Sequence, residues 1–368
     1  MLKIAPHRYQ SSSGALQTLG EYLEPLGERA LVVANKTALE RFEDVIRSSL
    51  KESMIGVSFE ICLGECCLPE VERLSEEAEK EDADMIVGVG AGKTLDVAKY
   101  TAQHTESRMI TIPSAASSNA AFTNLVYLYN DDGDFLEVEE LETAPDLTLV
   151  DYKVNGLAPS RHLRAGMGVA LATSYDFDLS RDQLDRHQPS NMAFKLAQNL
   201  SESLFEIGQQ ALEDVKKGEV TGRVESVIEM NILQAGLISS LGGISFRSKF
   251  AHCLTNQLNP YTQEDVLYGE VIAFALIVQQ FMRDKQPQEF TNLLRYYRDV
   301  GLPLTMDSIG LPEHQRDSIL EDAFEDIVEN LADFKLPFEM TVEQLADSTK
   351  KADDLGKKII QSGIESIQ

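Results

Sequence analysis

Short apolar runs rich in β-branched residues alternate with amphipathic segments between residues 29 and 151. The apolar runs are "RALVVAN", "IGVSFEI", "DMIVGVG", "RMITIP" and "DLTLVD", and the amphipathic segments cover 36–50, 69–81 and 93–104. Runs of this length are typical of strands, and the longer segments repeat at helical spacing. Because strands joined by helices pair in parallel, the sequence predicts βαβ units with a mostly parallel sheet.

The remainder of the chain has a different periodicity. Two further apolar runs, "TNLVYLYN" and "FLEVEEL", flank "DDGD", whose Asp-Gly pair predicts a hairpin turn. After "LAPSR", apolar residues recur at helical spacing through 164–180, 190–217, 220–241, 266–283 and 288–299. We therefore predict a Rossmann-like α/β domain over 1–157 and an all-α helical domain over 158–368.

Charge and cysteine content exclude several classes of protein. The 368 residues include 60 acidic and 33 basic side chains, for a net charge of −27, which repels nucleic acids and anionic lipid. An acidic surface is also found in salt-adapted proteins. The four cysteines form no CxxC pair, and "MLKIAPHRYQ" lacks the apolar core of a secretory signal. We expect a cytoplasmic protein with reduced thiols and no membrane span.

The segment "MIVGVGAGKTLDVAKY" carries a glycine-rich loop between a predicted strand and a predicted helix. A Walker loop requires glycine five residues before Gly92, and that position is Val87. The spacing of Gly88, Gly90 and Gly92 also differs from the GxGxxG dinucleotide motif. A turn without bulky side chains at a helix start still favours a phosphate, which predicts a pyrophosphate site. The alternative is a tight turn without a ligand.

Three stretches resemble the glycerol dehydrogenase branch of the metal-dependent, iron-containing alcohol dehydrogenases, whose wider superfamily includes dehydroquinate synthase. They are "GVGAGKTLDVAK", "TIPSAASSNAAFTNLVYLYNDDGDF" and "PDLTLVDYKVNGLAPSRHLRAGMGVALATSYD". The resemblance implies a nicotinamide dinucleotide that crosses the cleft between an α/β domain and a helical domain. It also implies a homo-oligomer, since family members assemble as dimers to octamers.

The resemblance assigns cofactor contacts by position. At the pyrophosphate it places Gly92 and Lys93, with Gly90 and Thr94 in the same loop. At the nicotinamide end it places Ser114, Ser117, Thr123, Leu125 and Tyr129. The alternative for these hydroxyl side chains is a polar loop with local hydrogen bonds to the backbone. Asn35 stands where the family has an acid that binds a ribose hydroxyl, and a neutral amide followed by Lys36 admits NADP as well as NAD.

The metal site departs from the family pattern. Family members hold zinc or iron with one Asp and two His, and the corresponding positions here are Val169, His252 and Tyr268. A zinc site takes about three protein ligands plus water, so His252 alone is a doubtful metal ligand. We predict instead that His252 and Tyr268 face one another as an acid/base pair, and that Asn119 contacts the substrate. Asp176 lies on the same helical face as Val169, and the family has a non-ligating acid there.

Three functions remain open on these residues. The first is an NAD(P)-dependent oxidoreductase of a small polyol, alcohol, hydroxy acid or ketone that works without a tightly bound metal. The second is a catalytically silent dinucleotide-binding protein. The third is a metal-dependent enzyme, either a weakly metal-dependent relative of glycerol dehydrogenase or a cyclase or lyase like dehydroquinate synthase.

Overall fold

The computed structural model describes residues 4–130, 133–179, 188–242, 250–263, 265–283, 287–331 and 336–363. The chain forms two compact units. The first comprises Met1–Leu163 with Asp214–Ser240, and the second comprises Arg164–Glu213 with Leu241–Gln368. The first unit therefore extends past the predicted boundary at 157 and includes a later segment. That segment packs closely on the rest of the first unit, as Gly156 shows. A side chain at Gly156 would lie only 2.8 Å from Val220.

A six-stranded parallel sheet forms the centre of the first unit, in the order β1-β8-β5-β4-β2-β3. The strands are β1 (Tyr9–Ser12), β2 (Arg29–Ala34), β3 (Gly56–Ile61), β4 (Met85–Gly90), β5 (Arg108–Pro113) and β8 (Leu147–Asp151). The five strands expected from apolar runs are confirmed. The first strand was not predicted, because "YQSS" has neither an apolar run nor an apolar alternation.

Both faces of this sheet are buried, which explains the unbroken apolar runs. Val32 and Val87 join one hydrophobic core, whereas Leu31 and Ile86 join a second core. Successive side chains of a strand point to opposite faces, so the two cores lie on opposite faces of the sheet. The chain runs from β2 outward to β3 and then returns to the other side of β2 as β4. The order of strands therefore reverses between β2 and β4.

Helices and a hairpin complete the first unit. The helices are α1 (Leu19–Leu23), α2 (Lys36–Glu52), α3 (Leu68–Lys80), α4 (Gly92–His104), α5 (Tyr152–Gly156), α8 (Gly222–Glu229) and α9 (Ala235–Gly242), which extends two residues beyond the unit. A π-helical turn, Met230–Gln234, joins α8 to α9. The predicted hairpin is confirmed as the antiparallel pair β6 (Leu125–Tyr129) and β7 (Phe135–Glu140). Residues 131 and 132 of its turn lie outside the described residues.

The described residues of the second unit form helices and connecting turns without a strand, as predicted. Its helices are α6 (Ser160–Leu179), α7 (Gln188–Lys216), α10 (Phe250–Leu258), α11 (Tyr268–Met282), α12 (Pro287–Val300), α13 (Arg316–Asn330) and α14 (Val342–Ser362), of which α6 and α7 each continue into the first unit at one end. The last helix begins with a capping box in which Thr341 and Gln344 bond each other's backbone N–H. No helix in the described parts of the chain is long and apolar enough to cross a membrane.

Candidate functional site

The predicted cofactor residues follow the carboxyl ends of three adjacent strands. Asn35 follows β2, Gly92 follows β4, and Ser114 follows β5. These strands are hydrogen-bonded neighbours in a parallel sheet, so their carboxyl ends lie at the same edge. Asn35 and Gly92 flank the point at which the strand order reverses. In open α/β sheets, ligands bind in the crevice outside the carboxyl ends at this point.

The two glycines of the loop have different surroundings. A side chain on Gly90 would lie 2.7 Å from the Cβ atom of Thr94, so internal packing requires glycine there. A side chain on Gly92 would meet no atom within 4 Å, so internal packing does not account for this glycine. The residue before α4, Ala91, offers no side chain to cap the first N–H groups of the helix. An open position beside an uncapped helix start fits a pyrophosphate group.

Lys93 and Thr94 contribute differently to this loop. Thr94 is buried and packs against Gly90, so it shapes the loop from inside. Lys93 has 59% of its side chain exposed and forms an ion pair with Glu65, which precedes α3. Tyr129 lies beside the same segment, because its backbone N–H donates to the carbonyl of Cys66 at 2.9 Å. Burial raises the pKa of the Tyr129 phenol, with a smaller contribution from Glu65.

Asn35 caps α2. Its Oδ1 atom accepts from the backbone N–H of Ala38 at 2.8 Å. Its Nδ2 atom, as an amide nitrogen, can only donate hydrogen bonds. The first turn of α2 contains no acidic residue, and Lys36 is exposed directly after the cap. The cap and first turn of α2 therefore carry one positive charge, that of Lys36, which an acid at the cap would offset.

The loop that carries the predicted nicotinamide contacts runs over residues 114–125, and we name it the serine loop. Its first residue, Ser114, donates its backbone N–H to the carbonyl of Gly90 at 2.8 Å, which joins it to the glycine loop. Ser117 is partly buried, and Thr123 and Leu125 are buried. The amide of Asn119 donates to Ser239 on α9 at 3.2 Å, so this side chain touches a protein partner at the place where a substrate contact is predicted.

Sequence reasoning missed the residues that hold the serine loop. Lys99 is fully buried in an ion pair with Asp96, 2.9 Å away, and it donates to carbonyls of the loop. Asn231 of the π-helical turn donates to the carbonyl of Ala116 at 2.9 Å. The signal for the first pair was the i, i+3 spacing of Asp and Lys in "TLDVAK". No local pattern marks Asn231, because its partner lies 115 residues away.

In the second unit, His252 of α10 pairs with Asp176 of α6. The His252 Nδ1 atom lies 2.7 Å from the Asp176 Oδ2 atom, and their side chains are 12% and 1% exposed. A buried carboxylate at this distance accepts the Nδ1 proton, which leaves Nε2 of the neutral ring as an acceptor. Asp176 therefore orients the histidine, a role that the sequence analysis did not assign to it.

The facing of His252 and Tyr268 as an acid/base pair stays a prediction. The Tyr268 phenol donates to Oδ1 of Asn256 at 3.0 Å. Asn256 lies one helical turn after His252 on α10, so both polar pairs lie along one face of that helix.

Close backbone contact between α6 and α11 brings the other two predicted ligand positions together. A side chain on Gly168 would lie 2.3 Å from the carbonyl oxygen of Gly269, and one on Gly269 would lie 2.0 Å from that of Ala165. Val169 and Tyr268 are the neighbours of these two glycines in sequence. The packing of small residues therefore brings the backbone segments that carry Val169 and Tyr268 close together.

The donors at these positions do not fit a three-ligand metal centre. Val169 has no lone pair, and Tyr268 would need to become a phenolate. No group of three or more His, Cys, Asp or Glu side chains suited to a metal occurs within the described ranges. His252, the one predicted metal ligand, has its Nδ1 atom bound to Asp176.

Comparison with known proteins places this geometry in a family. A model of the iron-containing alcohol dehydrogenases matches residues 6–152. The chain is 32% identical to glycerol dehydrogenase of Pseudomonas putida, over 97% of this chain and 98% of that protein. It is 30% identical to glycolaldehyde reductase of Halobacterium salinarum, over 96% and 98% of the two chains.

A solved structure agrees with these sequence matches. The crystal structure of a probable glycerol dehydrogenase from Sinorhizobium meliloti 1021 superposes with a TM-score of 0.85 at 28% identity, over 98% of this chain and 99% of the other. The full length of the fold is therefore shared as well as the glycine loop. The chain is an oxidoreductase that belongs, as a glycerol dehydrogenase-like member, to the iron-containing alcohol dehydrogenase family.

Proposed function

We propose that this protein is an NAD(P)-dependent oxidoreductase that interconverts a small polyol or hydroxyaldehyde and its oxidised partner without a tightly bound metal. The main observation in favour of cofactor binding is the open position at Gly92 beside the uncapped start of α4. It lies at the point where the strand order reverses. A bound nicotinamide supplies the hydride acceptor or donor.

Two relatives support the substrate class. They are glycerol dehydrogenase and glycolaldehyde reductase, whose names give small molecules that carry a hydroxyl group beside the reacting carbon. Substrates of this class present hydroxyl and carbonyl oxygens that can be bound by hydrogen bonds. The polar side chains Asn119 and Tyr268 are suited to that task.

His252 is proposed as the proton acceptor. In alcohol oxidation the hydroxyl proton passes to Nε2 of His252 while the hydride leaves the adjacent carbon, so the products are a carbonyl compound and an imidazolium. Asp176 holds the Nδ1 proton and stabilises that imidazolium, as a buried carboxylate does in other base-assisted enzymes. In the reduction direction the same proton returns to the carbonyl oxygen. Tyr268 is proposed to turn its hydroxyl from Asn256 to the substrate oxygen and to donate a hydrogen bond there.

The choice of nicotinamide follows from Asn35. A carboxylate at this cap would repel the 2′-phosphate of NADP, whereas the amide of Asn35 and the charge of Lys36 would attract it. We infer that the protein uses NADP at least as well as NAD.

The test is a turnover screen of purified protein before and after exhaustive chelation. Glycerol, 1,2-propanediol, glycolaldehyde and dihydroxyacetone are assayed with both nicotinamides, while metal content is measured by mass spectrometry. Turnover that survives chelation is expected. Turnover that disappears with the metal and returns with zinc or iron would overturn the proposed mechanism.

A second function, dinucleotide binding without catalysis, is favoured by Val169 and Tyr268 at two of the three ligand positions. The same screen separates the two functions. Calorimetric binding of NADPH or NADH without turnover of any substrate in the panel would establish the silent protein. Replacing His252 by Gln would then leave dinucleotide binding unchanged, whereas the enzyme would lose turnover.

A further inference from the structure

The backbone of the serine loop is held by side chains that come from elsewhere in the first unit. Lys99 donates to the carbonyls of Ala120 at 3.0 Å, of Thr123 at 3.3 Å, and of Leu125. Residues 114–124 of the loop form neither helix nor strand, so their carbonyls lack the regular partners of secondary structure. One buried ammonium group therefore supplies two of the missing donors and also donates to the first residue of β6.

Two further anchors reach the loop from other directions. Asn231 donates to the carbonyl of Ala116 at 2.9 Å from the π-helical turn, and it is 1% exposed. The hydroxyls of Thr111 and Thr148, on adjacent strands, both donate to the carbonyl of Ala121, at 2.7 and 2.8 Å. Five loop carbonyls, those of residues 116, 120, 121, 123 and 125, are thus fixed before any ligand binds.

Stability alone does not account for this arrangement. A fully buried lysine paired with a carboxylate is often no more stable than well-packed apolar side chains of similar size. The pair also fixes the backbone that follows the serine loop, because Asp96 accepts from the backbone N–H of Tyr127 at 3.2 Å. Loop and strand are therefore held in one conformation. The π-helical turn that carries Asn231 is likewise a feature that occurs frequently at functional sites.

We propose that Lys99 and Asn231 are positioning residues that preorganise the serine loop for the nicotinamide end of the cofactor. This role rests on the proposed function, since it requires that a nicotinamide dinucleotide binds at this edge of the sheet. Neither side chain contacts the cofactor in this role. They remove the cost of ordering the loop at the moment of binding.

A selective effect on one half of the ligand follows. The nicotinamide is assigned to the serine loop, whereas the phosphates and adenosine are assigned to the glycine loop and Asn35. Loosening the serine loop should therefore weaken binding of NADH or NADPH but not of ADP-ribose or its 2′-phosphate, which lack the nicotinamide ring. A general structural defect would weaken both.

The experiment compares these ligands by isothermal titration calorimetry on the full chain. The variants are Asp96→Asn/Lys99→Met, which removes both charges of the buried pair together, and Asn231→Leu, which reaches the loop from the other side. Lys80→Met is the matched control, since it breaks an exposed ion pair with Glu77 on α3. Thermal melts confirm that each variant is folded.

We expect the dissociation constant of the dinucleotide to rise about tenfold in each variant, while that of ADP-ribose changes less than about twofold. Equal weakening of both ligands, unchanged binding of both, or loss of the folded state in both variants would overturn the positioning role. If the wild-type protein binds neither ligand, the proposed function itself fails. A wild-type protein that binds both, with no selective loss in a folded variant, overturns only the positioning role.

Discussion

The Nδ1 atom of His252 and the Oδ2 atom of Asp176 lie 2.7 Å apart, and the carboxylate is almost completely buried. This pairing gives the histidine one orientation and one neutral tautomer. In the proposed mechanism it supplies a proton acceptor that does not depend on a metal, in a family named for iron.

Replacing Asp176 by Asn tests this pairing. The amide can donate to Nδ1 and so favours the wrong tautomer, and we expect kcat to fall by about 10²- to 10⁴-fold with little change in KM. Steady-state kinetics measure the effect, with Asp307→Asn as a control for loss of a carboxylate in the same unit. A kcat within about threefold of wild type would show that Asp176 does not orient the base.

Asn35→Asp tests the choice of cofactor. Aspartate caps a helix as well as asparagine does, so the fold is expected to persist. The added charge should raise the dissociation constant of NADPH by about tenfold or more and leave that of NADH nearly unchanged. Fluorescence titration gives both values, and Asn330→Asp adds the same charge in the other unit. Equal weakening of both cofactors would refute a 2′-phosphate site near residue 35.

Glu65→Gln frees Lys93 from its ion pair. Because Glu65 competes with a pyrophosphate for this lysine, we expect the dinucleotide to bind about two- to fivefold more tightly. The gain should shrink at high ionic strength, since Lys93 is largely exposed. Titrations at two salt concentrations test this, with Glu77→Gln as a control that frees Lys80. Weaker binding would show that Glu65 holds the loop in its binding form.

The double substitution Val169→Asp with Tyr268→His tests the ligand positions. It gives an Asp and two His on three neighbouring helices, and we expect about one zinc ion per chain by mass spectrometry. Asp176 would then hold the distant nitrogen of a metal-binding histidine, a common arrangement around zinc. Each single variant is the control and should bind zinc weakly. No uptake by the double variant would mean that the positions are misplaced.

Cys253 provides a prediction about pH. Burial, with a smaller contribution from Asp176, raises the pKa of this thiol from 9.0 to about 12. The folded state therefore keeps a proton that the unfolded state releases between pH 9 and 12, so the free energy of unfolding falls as pH rises through this window. Urea unfolding at pH 8, about 9.5 and about 10.5 should show a decline that is smaller in Cys253→Ala. An identical slope in the variant would contradict the raised pKa.

The sequence predicts the strands that can be recognised from their own residues, without knowledge of the elements that pack on them. Both faces of β4 are buried, so its six residues form an apolar run that is recognisable without knowing what covers them. In β1 all four residues are half-buried and three are polar, because its pairing with β8 stabilises it, and no local pattern reveals that. Short-range sequence signals thus give the four interior strands and β3 at one edge, and they miss β1 at the other edge.

The candidate site divides in the same way. The glycine loop was predicted because the turn, the helix start and the phosphate site are contiguous in sequence. The partner of His252 could not be predicted, because it lies 76 residues away and its contact depends on how α6 packs beside α10. Lys99 shows a third case, since a lysine on a helix is normally expected in solvent and here it is fully buried.

The contact between Gly168 and Gly269 sets a fixed width between two helices. Because backbone touches backbone there, the gap does not depend on the side chains of Val169 and Tyr268, which can change while the frame keeps its dimensions. Side chains at such a place can be exchanged while the spacing of the helices is kept. If the predicted ligand positions are right, this chain is therefore two substitutions from the Asp and His of the family pattern. Replacing either glycine by a larger residue, in contrast, would change the spacing of α6 and α11.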